Sequence, residues 1–426
     1  MRIVHQESAG IDIGAKQFFV STKDKVVKSF YTFTSDIILL GNYLKSKKVE
    51  SVAMEATGVY WYIIYAILEE KFGIDVWLVD GRQTKQVPGR KTDVKDCQWI
   101  QELHSYGLLN RCHVTTGDLK SLRTYQRLRE DHIETSSMHI NHMQKALTIM
   151  NIRLKEVLSQ IHGKSGLSMI EAMLDGERSR KKLLSLCHIS VKKNKSELIL
   201  KALEGHYTEE GLFTLKQAYQ GYEFYQKRLE ECDKKISEIL NKINENDPLS
   251  TGKRKAIRHH KPDVDNLGGH LLKIFGNHDA TVLSGVTDYS WLRLLGEIGV
   301  DLGKWKTEKH FTSWLGLSPG QHHSGKMKRN KKKGRPKAGQ IFRMIAFGLL
   351  NSKDVALGAF GRKLRAKKGA ALAIKAVARK LAAQYWRLMV KGRDYVERGV
   401  KEYEKQVYRS KVRALERLNK ELNINY

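Results

Sequence analysis

Apolar positions along the first hundred residues recur with two different periods. Residues 9–14 (AGIDIG), 17–22 (QFFVST) and 26–33 (VVKSFYTF) are short strand-like runs joined by polar links. Such a pattern predicts a meander of antiparallel strands. Residues 35–47 space Ile38, Leu39 and Leu44 as one face of a helix. A buried-strand run at 49–56 (VESVAMEA) follows, then a helical stretch at 60–72, a strand at 75–79 (DVWLV) and a charged helix opening near Asp93. The order β-β-β-α-β-α-β-α predicts a mostly parallel sheet flanked by helices, with an antiparallel hairpin edge.

From about residue 115 to 247 the period is helical. Leu215, Tyr222, Leu229, Ile236 and Ile243 recur every seven residues, and Leu212, Tyr219 and Leu240 fill the second apolar position of the heptad. This seam predicts a coiled coil, interrupted by Gln226 and Asp233. Residues 140–161 are one candidate partner helix; a second protomer is the other, and the seam is expected to hold a dimer or tetramer together. Residues 163–210 are charged and irregular and suggest no role. Residues 247–260 (DPLSTGKRKAIRHH) read as a basic linker, and beyond it lies a last domain with a helix-rich stretch at 338–387. The expected organisation is an α/β domain over 1–116, an all-α coiled-coil region over 117–261 and a basic, helix-rich domain over 262–426.

Composition sharpens this picture. The 426 residues suffice for two or three domains, and 41% hydrophobic content argues against global disorder. The net charge of +30 calls for a polyanionic partner. It is concentrated: residues 325–413 hold 27 Lys/Arg against 5 Asp/Glu. Cys97, Cys112, Cys187 and Cys232 are scattered with no CxxC pair, which disfavours a zinc site or a disulfide framework and predicts a reducing compartment. The N-terminus lacks an apolar h-region and no stretch could span a bilayer, so a cytoplasmic protein without a membrane partner is expected.

Four acidic residues sit where a sheet would gather them. Asp12 ends the first predicted strand, Glu55 ends the fourth, and Asp93 and Asp96 open the helix after the fifth on one helical face. Any one of them alone would read as a solvated charge. Asp12, however, lies between Ile11 and Ile13, and Glu55 follows Val52-Ala53-Met54. Unpaired carboxylates are costly to bury. Strand ends on one edge of a parallel sheet converge, and crowded carboxylates need a cation. A hard, oxygen-seeking ion such as Mg²⁺, or Mn²⁺, is the expected occupant, and a pair of such ions supports phosphodiester displacement. The run GIDIG also resembles the phosphate loop of actin-like kinases, but that fold needs a second such loop and the chain turns helical after one copy.

A second candidate lies far downstream. Within WLGLSPGQHHSGK, Gly and Pro place Ser324 on a loop, preceded by His322 and His323 and followed by a cationic run. Lys326, Lys328, Arg329, Lys331, Lys332, Lys333, Arg335 and Lys337 are the expected nucleic-acid contacts. A serine beside a phosphate-attracting segment is a candidate nucleophile.

Asp12, Glu55 and the TD..KD step at Asp93 and Asp96 resemble the DEDD tetrad of the Holliday-junction resolvase (RuvC-like, RNase H-type) fold. LLGEIG, SWLGLSP and the Ser324-Gly325 step resemble the C-terminal domain of DEDD insertion-sequence transposases, the one-ten/eleven-eleven group. The resemblance covers residues 10–107 and roughly 283–395. It implies an RNase H-like (RuvC-like) first domain and a C-terminal transposase domain with its catalytic serine at Ser324. It further implies a covalent phosphoserine in transposition, donor and target DNA as substrates, and a bridge RNA as guide. The chain departs from the group's pattern at residues 163–210, which look like extra length. It departs again at GVTDYSWLRLL, which replaces a more glycine-rich helix-hairpin-helix pattern. The rival readings are a metal-dependent junction endonuclease that uses water and a non-catalytic nucleic-acid-binding protein.

Overall fold

Strand β1 (Ser8–Ile13) pairs antiparallel with β2 (Gln17–Ser21), which pairs antiparallel with β3 (Val27–Tyr31). On its other side β1 pairs parallel with β4 (Ser51–Glu55), and β4 with β5 (Asp75–Val79), giving the order β3-β2-β1-β4-β5. The computed structural model describes residues 2–56, 58–84, 93–319, 336–353, 355–392 and 400–421. They fall into two units, Met1–Val114 and Thr115–Tyr426.

Helices cover both faces of the sheet. On one face, α1 (Thr34–Ser46) and α2 (Trp61–Glu70) bring Ile37, Leu40, Leu44, Ile64 and Leu68 against Ile11, Val52, Met54, Val76 and Leu78. After β5 come a single turn, α3 (Gly81–Thr84), and α4 (Asp93–Ser105). Helix α4 covers the second face, where Ile100 and Leu103 pack with Ala53 and Val79. The close approach depends on Gly10: a Cβ there would overlap the backbone of Cys97 and Gln101. At the strands' starting edge His104 of α4 is fully buried, its Nε2 3.0 Å from Ser51 Oγ and its ring stacked at 4.4 Å on His5. Burial, reinforced by His5, pulls its pKa from 6.5 down to about 4.

The second unit is helical. Its frame is α5 (Gly117–Ile149) and, after α6 (Leu154–Val157), α7 (Lys164–Leu174), α8 (Arg180–Ser185) and α9 (Ile189–Ala202), the long α10 (Glu209–Ile243). Lys242 meets Asp118, Asp233 meets Arg129, Gln226 meets Ser136, and Gly221 lies against His139. Partners descend α10 as they climb α5, so the pair is antiparallel. The expected partner at 140–161 is thus too short and set too late. The heptad seam is also satisfied inside the chain, not left for a second protomer: Leu215, Tyr222 and Ile236 are buried, and Leu229 and Ile243 partly so. Its two polar interruptions are its specific contacts. Gln226 donates to Ser136 Oγ at 2.8 Å, and Asp233 binds Arg129 at 2.5 Å with both side chains almost wholly buried.

The irregular stretch 163–210 is ordered as α7, α8 and α9, which close a core of their own at the hairpin's tip around Met143, Leu147, Met169, Ile170, Ile199 and Leu215. At its base, Leu122, Ile236 and Leu240 join a larger core with the C-terminal helices. These are α11 (Leu267–Ile274), α12 (Asp288–Ile298), α13 (Glu308–Trp314), α14 (Lys337–Leu350), α15 (Ala356–Lys368) and α16 (Ala370–Lys391), with α17 (Val400–Glu421) following. Helix α12, the GVTDYSWLRLL segment, is a central core element with Trp291, Leu292, Leu294 and Leu295 fully buried. The supposed basic linker is pinned to this core, because its cations find internal partners. Arg254 pairs with Asp279 at 2.7 Å and Asp288 at 2.5 Å, and Lys255 donates to the carbonyls of Thr281 and Leu283. No helix among the described residues is long and apolar enough to cross a membrane.

Two consequences can be measured. Arg129→Met strands Asp233 as a buried, unpaired charge, and should cost about 3–5 kcal/mol in denaturant unfolding, with Arg129→Met/Asp233→Leu regaining most of it. A single variant as stable as the parent would show that the pair is dispensable. Neutral His104 is favoured in the folded state, so its contribution is complete above pH 6.5 and is lost as pH falls toward 4. The difference corresponds to roughly 3 kcal/mol. Trp77, whose ring lies 5.1 Å from His104, is a fluorescent reporter for this loss. His104→Gln should flatten the acid limb, and an unchanged limb would assign it to other groups.

Candidate active site

The alternation of the strands decides which acids meet. Ile11 and Met54 pair across β1 and β4 and face α1 and α2. The next residue on each strand, Asp12 and Glu55, therefore sits at the same level and faces α4. Both carboxylates are half-buried. Strand spacing places such neighbours about 4.8 Å apart at the backbone.

Helix α4 runs against β1, with Ser105 near Val4 and His5 and Cys97 over Gly10. Its first turns, which carry Asp93 and Asp96, thus lie toward the strand ends that hold Asp12 and Glu55. The Cys97 thiol registers this placement. Its pKa is pushed up to about 12, first by burial, then by the Asp12 carboxylate, with Asp96 adding in the same direction. The thiol is thereby favoured in its neutral form, and the groups that act on it here are carboxylates. Such a set suits a hard divalent cation.

Glu55 is held by residues that sequence reasoning missed. Thr84 Oγ1 donates to Glu55 Oε2 at 2.9 Å, and Trp99 Nε1 of α4 donates to the Thr84 carbonyl at 3.0 Å. Gly81 lies so close that a Cβ would overlap Glu55 Oε1. The one sequence signal was the Asp80-Gly81 step straight after a strand, a turn pair that opens α3.

Asp12, Glu55 and Asp96 are accordingly brought to one face and one end of the sheet. Asp93 is the first residue of α4, with its side chain outside the described residues. Among the described residues no group of three or more His, Cys, Asp or Glu is arranged to hold a metal ion. Ser324, His322, His323 and the cations Lys326, Lys328, Arg329, Lys331, Lys332, Lys333 and Arg335 also lie outside them. Lys337 is described: it opens α14, and its Nζ is 3.5 Å from Glu130, which Arg293 also binds.

Residues 9–152 match a family model for the DEDD transposases of IS110, and residues 280–359 match the transposase IS116/IS110/IS902 family. The chain belongs to the IS110 transposase family. It is an enzyme that acts on DNA, with a mixed α/β first unit and a helical second one. The DEDD match spans the strands bearing Asp12 and Glu55 and the helix bearing Asp93 and Asp96, and points to dependence on a divalent metal. No curated protein matches the chain.

The Glu55 clamp yields a direct test. Gly81→Ala would push the carboxylate from its place without disturbing the cores, so this transposase should lose on the order of 10²-fold in strand cleavage with an unchanged melting curve. Cleavage at the parent rate would separate Glu55 from the chemistry.

Proposed function

We propose that this transposase cleaves and rejoins DNA through a covalent phosphoserine at Ser324, within an RNase H-like (RuvC-like) framework, and that a structured guide RNA selects its donor and target. The observation that carries this reading is that Asp12 and Glu55 each follow directly on the paired residues Ile11 and Met54 of the parallel strands β1 and β4, on the sheet face that the helix bearing Asp93 and Asp96 covers. The order β3-β2-β1-β4-β5, with β1, β4 and β5 parallel, supports the fold assignment. These four carboxylates are the residues that would hold Mg²⁺ or Mn²⁺. Such an ion, when bound, stabilises charge on phosphate oxygens.

The chain's own groups have defined tasks. Thr84 and Gly81 fix the Glu55 carboxylate, and α4 carries Asp96 toward Asp12. The cationic run after Ser324 attracts the DNA backbone. The Ser324 Oγ forms a bond to the scissile phosphorus and gives up its proton, while the bond to the leaving nucleoside oxygen breaks and that oxygen is protonated. The phosphoserine ester keeps the bond energy, so a second nucleoside hydroxyl can displace the serine and rejoin the strand without nucleotide hydrolysis. Since two cut sites must be held at once, a dimer or tetramer is the working assembly. Its interface lies elsewhere than the α10 seam, which α5 already fills.

The test is adduct capture. Labelled DNA incubated with protein, guide RNA and Mg²⁺, then denatured with SDS, should give a protease-sensitive slow band. Ser324→Ala should bind DNA but lose the band, and Asp12→Asn, Glu55→Gln or Asp96→Asn should lose cleavage altogether. Efficient cleavage with no adduct would replace this reading with a water-dependent nuclease. DNA binding without cleavage in any divalent metal would leave a silent binding protein.

A further inference from the structure

The turn that holds Glu55 also carries an arginine. Asp80, Gly81, Arg82, Gln83 and Thr84 follow directly on β5. Gly81 and Thr84 both lie against the Glu55 carboxylate, and Arg82 stands between them in the chain. The turn is fixed on two further sides. Trp99 Nε1 donates to the Thr84 carbonyl at 3.0 Å. Gln83 Nε2 donates to the Asn110 carbonyl at 3.1 Å, and the Asn110 N–H donates back to Gln83 Oε1 at 2.7 Å. A short turn with these anchors is a rigid mount beside Glu55.

The Arg82 side chain takes no part in that anchoring and is more than half exposed. Asp80 grips one edge of its guanidinium. Nε lies 2.9 and 3.0 Å from the two carboxylate oxygens, and Nη2 also binds Oδ2. Nη1, on the other edge, has no bond to any described residue. An exposed ion pair adds little to stability, and Thr84 and Gln83 fix the turn without it. What the pair does is orient. A guanidinium bound along one edge is held in plane with its other edge open, and such an edge matches the oxygens of a phosphate.

We propose that Arg82 is a further catalytic residue of this transposase, its open edge binding a non-bridging oxygen of the phosphate that is cleaved, with Asp80 as its positioning residue. The inference rests on the reading that Asp12 and Glu55 mark the site of cleavage. Carboxylates repel a phosphodiester, and more negative charge develops on the phosphoryl oxygens as the new bond forms. A fixed cation beside Glu55 opposes both effects. It needs no reorganisation when the charge appears, because Asp80 has already set its direction. A lysine would serve less well, since a point charge on a mobile stem cannot be braced along an edge. The cationic run after Ser324 attracts the DNA backbone at large, whereas Arg82 acts on the phosphate that reacts.

The test is single-turnover cleavage of labelled DNA by the full chain with guide RNA and Mg²⁺, with DNA affinity and melting measured separately. Arg82→Ala should slow cleavage at saturating DNA on the order of 10²-fold and leave the melting curve unchanged. Its DNA affinity should change by less than about threefold, because the interaction is made chiefly in the transition state. Arg82→Lys should recover part of the loss. Added guanidinium ion at non-denaturing concentration should speed Arg82→Ala and leave Glu55→Gln inactive. Asp80→Asn keeps an oxygen to cap the turn but removes the charge of the brace. It should slow cleavage in the parent and add nothing in the Arg82→Ala background. Parent-rate cleavage by Arg82→Ala, a loss confined to DNA affinity, or a loss that guanidinium does not relieve overturns the proposal. Equal slowing by Asp80→Asn in both backgrounds overturns the positioning role. Glu55→Gln, run alongside, keeps the two readings apart. Parent-rate cleavage by Glu55→Gln removes the site itself, whereas its inactivity beside a normal Arg82→Ala removes only the arginine.

Discussion

The Arg129–Asp233 pair is the contact on which the second unit depends. It crosses the α5–α10 hairpin where a heptad would place an apolar residue. The guanidinium also donates to the carbonyls of His260 and Lys261, and to the Tyr289 hydroxyl of α12. One buried cation thus ties two long helices, the segment after the hairpin and the central core helix. An apolar seam alone would tolerate a slide by a whole heptad or a swap of partners, whereas a desolvated ion pair has one low-energy register. Gln226 and Ser136, two turns further along, repeat the constraint with neutral groups.

A different constraint organises the first unit. Helix α4 can lie close on β1 only because residue 10 lacks a side chain. That approach brings Asp96 of α4 toward Asp12 of β1, and excludes water from Cys97 beside them. Each end of α4 has its own chemistry. At one end Asp12 and Asp96 both act on the buried Cys97 thiol. At the other a neutral histidine is packed with Trp77 and His5.

Much of this was legible in the sequence, for identifiable reasons. The strand runs around Ile11 and Met54 are short and apolar, so Asp12 and Glu55 could be placed at strand ends. The helical heptad of α10 was equally clear. What failed was the inference from a seam to its partner. Heptad spacing says that a helix has an apolar stripe, not whether that stripe meets another chain or the same one. The interruptions at Gln226 and Asp233 held the answer, since each has a polar counterpart on α5, but a counterpart some ninety residues away leaves no local signal. The segment around Arg254 was misread for a related reason. Its charges resemble those of a solvated linker, and only the fold reveals Asp279 and Asp288 beside them. The Gly81–Thr84 support for Glu55 escaped notice because a four-residue turn carries no periodicity.

The hairpin has one more consequence, for how its length can vary. Helix α5 has 33 residues and α10 has 35, with a separate core at the tip and a shared core at the base. At 1.5 Å per residue each arm is about 50 Å long. The polar cross-ties sit at matched levels on the two arms, so removing two helical turns from one arm alone would set Arg129 against the wrong neighbour. The arms can be lengthened or shortened only in step, and then the tip core moves outward or inward as a rigid piece. The hairpin is in this sense a ruler, and relatives that differ there should differ by paired insertions of similar size, one on each side of the tip.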